Sequence, residues 1–191
     1  MKNSLKIGVV TLSLLAGITF TANAQTSNNS NSNRPGNIVL SAGPESGLPV
    51  SNLKDVYDWS IGGSIQGDFA IIKKSLYVTV NGAFNNFFAS KDIDGAKDLR
   101  LVPVKAGLKF YAWKNLYVQG LAGVSFIANK DDIGADKSAV FAYSPQIGYL
   151  IPLGKGNFID AGVKFESNTK FVESGSSESY LGVRVAYAFN L

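Results

Sequence analysis

The sequence predicts an all-β fold: an eight-stranded antiparallel up-and-down transmembrane β-barrel with short periplasmic turns and longer extracellular loops. Three observations predict it. From residue 37 onward, hydropathy alternates with period two in eight segments, as in strands with one apolar and one polar face. The connections between those segments alternate short and long. Ionisable residues within the crossing segments fall on the polar face.

Composition narrows the chemistry. The 191 residues include 20 Gly, 12 Phe and 8 Tyr, a mixture that suits an all-β chain with many turns. There is no cysteine, so disulfides, thiolate metal sites and catalytic thiols are excluded. Histidine is also absent, which removes the commonest general base and transition-metal ligand. No cofactor is expected. The net charge of +4 is spread by topology and not clustered, so no nucleic-acid partner is expected.

Residues 1–24 read as a secretory signal peptide. Lys2 and Lys6 form the positive start, residues 7–20 are apolar, and Ala22-Asn23-Ala24 supplies the small-x-small site. Cleavage is expected between Ala24 and Gln25. The apolar run is shorter than the roughly 20 residues of a spanning helix. Removal of the two lysines leaves a net charge near +2. Residues 25–36 read as a disordered polar linker, ending at Pro35-Gly36. The barrel is expected over residues 37–191.

The first strand is expected over 37–45, with Ile38, Leu40 and Ala42 on one face. The second, 59–71, sets Trp59, Ile61, Ile65 and Phe69 against Ser60, Ser64, Gln66 and Asp68. The third, 76–88, sets Val78, Val80 and Phe84 against Tyr77, Thr79, Asn81 and Asn85. The fourth, 99–111, sets Val102, Val104, Ala106, Leu108 and Phe110 against Lys105, Gly107 and Lys109. The fifth, 116–127, sets Val118, Val124 and Phe126 against Gln119, Gly123 and Ser125. The sixth, 140–151, sets Phe141, Tyr143, Ile147 and Tyr149 against Ser144, Gln146 and Gly148. The seventh, 158–167, sets Ile159, Ala161, Val163 and Phe165 against Asp160, Lys164 and Glu166. The eighth, 180–191, sets Leu181, Val183, Val185, Tyr187 and Phe189 against Gly182, Arg184 and Ala188. Most are about 9–13 residues, the length a tilted strand needs to cross a bilayer.

Tight connections at 73–75, 113–115 and 152–157 alternate with longer ones at 46–58, 89–98, 128–139 and 168–179. Short turns at one rim and long loops at the other are the outer-membrane pattern. Each long loop carries one more acid than base, whereas the turns carry Lys73, Lys74, Lys114 and Lys155. Arg100 falls at the extracellular end of the fourth strand. The remaining ionisable residues of the strands, Glu45, Asp68, Asp160 and Glu166 against Lys105, Lys109, Lys164 and Arg184, form a balanced set on the polar face. That balance suits an enclosed lumen in which ions must find partners. Apolar-face aromatics gather in two groups, Trp59, Phe84, Phe126, Phe141 and Phe165 toward the loops and Phe69, Phe110, Tyr149, Tyr187 and Phe189 toward the turns. They read as interfacial girdles. A soluble lipocalin-like binding barrel, with the same aromatics as its core, is the alternative.

Four segments carry a family resemblance: residues 40–45 (Leu-Ser-Ala-Gly-Pro-Glu), 98–107 (Asp-Leu-Arg-Leu-Val-Pro-Val-Lys-Ala-Gly), 143–149 (Tyr-Ser-Pro-Gln-Ile-Gly-Tyr) and 182–189 (Gly-Val-Arg-Val-Ala-Tyr-Ala-Phe). The chain resembles the small eight-stranded outer-membrane barrels of the OmpA/OmpX-like type, in the Bacteroidetes form labelled "porin family" or "outer membrane protein beta-barrel domain". The resemblance implies location in the cell outer membrane, with lipid and lipopolysaccharide as surroundings. It also implies that barrel-insertion machinery reads the last strand as an assembly signal, through Gly182, Tyr187 and Phe189. Family members often end on an aromatic residue; this chain ends Asn190-Leu191.

The expected function is a non-enzymatic structural or interaction barrel with a side-chain-filled lumen, since eight strands leave room only for side chains. Lys105, Lys109, Lys164 and Arg184 are expected to pair with Asp68, Asp160, Glu166 and Glu45. The loops name no partner. The alternative is a narrow porin-like channel for small solutes, against which Tyr77, Tyr111 and Leu121 crowd the interior. The small outer-membrane enzymes that this architecture resembles use a histidine, which this chain lacks. Asp92-Ile93-Asp94-Gly95 with Asp98 falls short of a calcium loop, which needs more ligands and a closing Glu. Arg100 is a candidate for contacting lipopolysaccharide phosphate.

Overall fold

The computed structural model describes residues 33–93, 95–171 and 177–191. The expected signal peptide, its cleavage site at Ala24 and Gln25, and residues 25–32 of the linker lie outside the described residues, as does Asp94. Eight strands follow one another: β1 (Ile38–Val50), β2 (Tyr57–Ile72), β3 (Leu76–Ala89), β4 (Leu99–Trp113), β5 (Leu116–Ile127), β6 (Ala139–Gly154), β7 (Asn157–Asn168) and β8 (Glu178–Asn190). Each pairs antiparallel with the next, and β1 pairs with β8, so the sheet closes into a barrel in chain order. Closure leaves no free sheet edge.

Burial alternates residue by residue through most strands, as in Ala139–Gly154. The inverted polarity is plain on β7 and β8. Val163 and Val183 are paired neighbours and half exposed on the outside, whereas Lys164 and Arg184 are buried inside. Phe69, Phe110, Phe126, Phe141, Tyr149 and Tyr187 are likewise exposed outward. Apolar out and polar in is the reverse of a soluble lipocalin-like barrel.

Some strands run further than their hydropathy announces. β1 continues from Glu45 to Val50, so the expected loop at 46–58 shrinks to a 3-10 turn at Ser51–Asp55 and Val56. Ladder pairs from Ser46↔Val183 to Val50↔Ser179 hold this extension. Its alternation is hidden because Gly47 and Pro49 occupy the inward positions.

Three of the five prolines within strands, Pro44, Pro103 and Pro145, sit away from the strand ends, where each lacks a donor. The ladder lapses at each. β1–β8 pairing skips from Ala42↔Tyr187 to Glu45↔Arg184 around Pro44. β3–β4 pairing skips from Gly82↔Val104 to Asn85↔Leu101 around Pro103. β6–β7 pairing skips from Tyr143↔Ser167 to Gln146↔Lys164 around Pro145.

Each tight turn places a lysine in the left-handed region: Lys74 at φ 66°, Lys114 at 47° and Lys155 at 54°. For an L-residue this conformation costs about 1–2 kcal/mol, and glycine escapes the penalty. Glycine also gives back about 0.5–1 kcal/mol by freeing the unfolded chain. Lys114→Gly is therefore expected to leave the barrel equally stable, or more stable by up to about 1 kcal/mol. The urea midpoint for unfolding from lipid vesicles checks this; a lower midpoint would mean that the lysine holds the turn.

Candidate functional site

The lumen gathers most of the polar side chains that sequence analysis singles out, and it is organised in layers. Toward the loops, Leu53, Tyr57, Phe87, Leu99, Leu101, Ile127, Val140 and Tyr180 form one buried apolar cluster. Toward the turns, Val39, Tyr77, Tyr111, Tyr117, Leu150, Phe158 and Ala188 form a second. The charged groups lie between these two caps.

The lower charged group draws on every strand. Arg184 on β8 donates through Nη1 to Asp160 Oδ2 at 2.9 Å, through Nε to Ser64 at 2.7 Å and through Nη2 to Ser41 at 3.0 Å. Asp160 Oδ1 accepts from the Tyr117 hydroxyl at 2.7 Å. Lys109 Nζ donates to Asp68 Oδ2 at 2.6 Å, stands 4.0 Å from Asp160 and lies 4.4 Å from the Tyr117 ring centre. Thr79 donates to Asp68 Oδ1 at 2.7 Å. Three amides complete the circuit: Gln66 with Gln119 at 3.2 Å, Gln119 to Gln146 at 3.4 Å, and Gln146 to Tyr117 at 2.8 Å.

The upper charged group is smaller. Glu166 accepts from Lys105 and lies 3.4 Å from Lys164, which donates to Glu45 at 2.8 Å. Each group has two acids and two bases, so each is neutral by itself. All eight side chains are buried. A charge removed from water is tolerated when paired and hydrogen-bonded in this way. Glu45 and Arg184 are register neighbours, yet Glu45 takes Lys164 and leaves Arg184 to Asp160.

Glycines on the inward face make room for the larger residues. The Tyr117 ring lies over Gly148 on the neighbouring strand, where a Cβ would collide with the phenol oxygen and its ring carbon. Gly148→Ala is expected to displace that ring from Asp160 and Gln146, at a cost of about 1–3 kcal/mol. In a Tyr117→Ala background the ring's share of that cost should vanish, because the two residues are in contact, leaving the share from the Ala161 carbonyl oxygen, 2.8 Å from the added carbon. Urea titration of the four variants checks this; equal costs in both backgrounds would contradict the seating.

The turn-side mouth is crossed by residues 33–36. The Tyr77 hydroxyl donates to the Gly36 carbonyl at 2.8 Å, Gly36 N–H donates to Asn190 Oδ1 at 2.8 Å, and Asn115 donates to the Asn33 carbonyl at 3.0 Å. This end of the expected disordered linker is thus fastened to the barrel. At the loop side, Asp98 accepts from Asn86 at 3.2 Å and from the Ala89 N–H at 3.1 Å. These bonds give Asp98 a loop-fastening role. Arg100 is exposed at that rim, with Nε 3.4 Å from Asn86 Oδ1.

Of the expected assembly signal, Tyr187 and Phe189 lie side by side and Gly182 lies apart. Gly182 faces inward beneath Lys164, Tyr187 faces outward, and the Phe189 ring is 6.3 Å from that of Tyr187. Sequence reasoning did not identify Tyr117 as the residue linking Asp160 to the amides. Nor did it identify the loop-side cap. Phe87, Leu99, Leu101 and Tyr180 share inward parity with Asn85, Lys105 and Arg184, which is the signal that could have found them.

No family model matches the chain, and no curated protein matches it. Among solved structures, the barrel is similar to the crystal structure of Ail, the attachment invasion locus protein of Yersinia pestis. That likeness has a TM-score of 0.50 and 14% identity, covering 81% of this chain and 99% of that one. It is also similar to the outer membrane protein Ail of Yersinia pestis in a phospholipid bilayer nanodisc, with a TM-score of 0.51 and 17% identity, covering 81% and 98%. The likeness is one of fold, that of small eight-stranded outer-membrane barrels, and lends no support to the narrower Bacteroidetes label.

Proposed function

We propose that this chain is an integral barrel of the cell outer membrane, exported through a cleaved signal peptide, with a non-enzymatic structural or interaction role. One observation carries the reading: side chains such as Ile65, Leu108, Ile147 and Val183 are about half exposed on the outside, while eight charges are paired inside. An uncharged apolar band of this kind is stable against hydrocarbon and a liability in water. The eight lumen charges bond to one another beneath two apolar caps, which leaves none of them open to a substrate. Interaction falls to the loops and the surrounding lipid. Gly182, Tyr187 and Phe189 are the residues we assign to recognition by the barrel-insertion machinery.

The test is fractionation of cells expressing the full chain, followed by a gel with and without boiling. The protein should sediment with outer membranes, begin at Gln25, and migrate faster before boiling than after. Recovery in the soluble periplasmic fraction would overturn the proposal. For the channel alternative, planar bilayers containing the folded protein should show no discrete conductance steps; regular steps would establish a pore.

A further inference from the structure

The turn-side rim has a chemistry of its own. Its turns carry Lys73, Lys74, Lys114 and Lys155, and no Asp or Glu occurs in residues 72–75, 113–116 or 152–157. All four lysines are exposed, and none takes part in an ion pair among the described residues. The opposite rim mixes both signs in every loop. A rim that needed charge only for solubility could mix signs in the same way.

The backbone supplies a second observation. Of the four non-glycine residues at positive φ among the described residues, three are Lys74, Lys114 and Lys155, one per tight turn. Glycine would fit those positions with less strain. What lysine adds there is an ammonium group on a long stem.

Position supplies a third. The collar adjoins the outward apolar band at Ile71, Ile72, Trp113 and Leu153, each more than half exposed. Lys114 Nζ lies 5.3 Å from the Trp113 ring centre. An indole at the end of an apolar band marks headgroup depth. Ammonium groups at that depth attract anionic lipid.

We propose that this collar binds the phosphate of anionic phospholipid headgroups in the leaflet that the turn-side rim faces. The proposal rests on the outer-membrane reading above. Zwitterionic phospholipids carry their own ammonium beside the phosphate; phosphatidylglycerol does not, and its uncompensated charge is what four lysines without acidic neighbours select.

The chain carries its own reporters, because its two tryptophans, Trp59 and Trp113, belong to opposite ends of the barrel. Trp59→Phe leaves Trp113 at the collar, and Trp113→Phe leaves Trp59 at the loop side. Each variant is folded into phosphatidylcholine vesicles in which about one lipid in ten carries brominated acyl chains, as phosphatidylglycerol or as phosphatidylcholine. Trp113 should be quenched roughly three-fold or more efficiently by the brominated phosphatidylglycerol, as the attraction of several lysines implies. High salt should erase the preference, as should Lys→Gln at all four positions, while Trp59 should show none. Equal quenching of Trp113 by the two lipids overturns the proposal while leaving the membrane barrel intact. If salt-sensitive co-sedimentation with purified peptidoglycan is then lost in the quadruple variant, the collar serves the cell wall instead, and the lipid proposal is overturned. Absence of quenching by either lipid at either tryptophan would instead overturn the membrane reading beneath it.

Discussion

Replacing Asp160 by alanine is expected to destabilise the barrel by about 3–5 kcal/mol, the range for stripping one partner from a buried ion pair. Asp160 accepts from Arg184 at 2.9 Å and from Tyr117 at 2.7 Å, and Lys109 stands 4.0 Å away. Its loss leaves the Arg184 guanidinium without a carboxylate partner. Ser41 and Ser64 remain, but neutral hydroxyls do not balance a buried cation. The lower charged group changes from neutral to net positive, between two apolar caps. The attraction within the pair is not what makes the loss large; the stranded charge is. The double variant Asp160→Leu, Arg184→Met should therefore recover much of the loss. Urea titration in vesicles measures both. A cost below about 1 kcal/mol for Asp160→Ala is what an exposed ion pair gives, and would mean that water reaches the lumen.

Val163→Arg is expected to cost about 2–4 kcal/mol, the penalty for a cation near the bilayer midplane of a membrane barrel. Val163 is near the middle of β7, half exposed, and paired with the outward Ile147 and Val183. In water the same substitution, at an exposed position on a regular strand, would change stability by roughly 0.5 kcal/mol or less. The two environments therefore predict different results from one measurement. The comparison is between the urea midpoints of the two proteins folded into vesicles of one composition. Lys164, one residue away and facing inward, shows why position matters more than residue type: its ammonium lies 2.8 Å from Glu45.

Much of this architecture is legible from the period of two. Counting from Lys105 and Lys109 places Val104, Leu108 and Phe110 outward, which is where they lie. What hides from that count has physical causes. Gly47 and Pro49 carry no side-chain contrast, so the end of β1 reads as loop. A register shift between Tyr57 and Trp59 allows Tyr57 to turn inward although Trp59 faces outward. The loop-side cap also needs Leu53, which arrives from a connection and belongs to no strand pattern. Partner choice inside the lumen is harder still, because side chains reach across the barrel to strands that are not ladder neighbours. Lys105 on β4 meets Glu166 on β7, and Gln66 on β2 meets Gln119 on β5.

The absence of cysteine makes the environment of the outward face measurable site by site. Single cysteines at Leu108, Val163 and Val183, each spin-labelled in the barrel folded into vesicles, report whether the apolar face meets lipid. In a lipid-facing band the labels are accessible to dissolved oxygen and shielded from a water-soluble nickel chelate. Accessibility to the chelate at all three positions would put that face in water and rule out a membrane barrel.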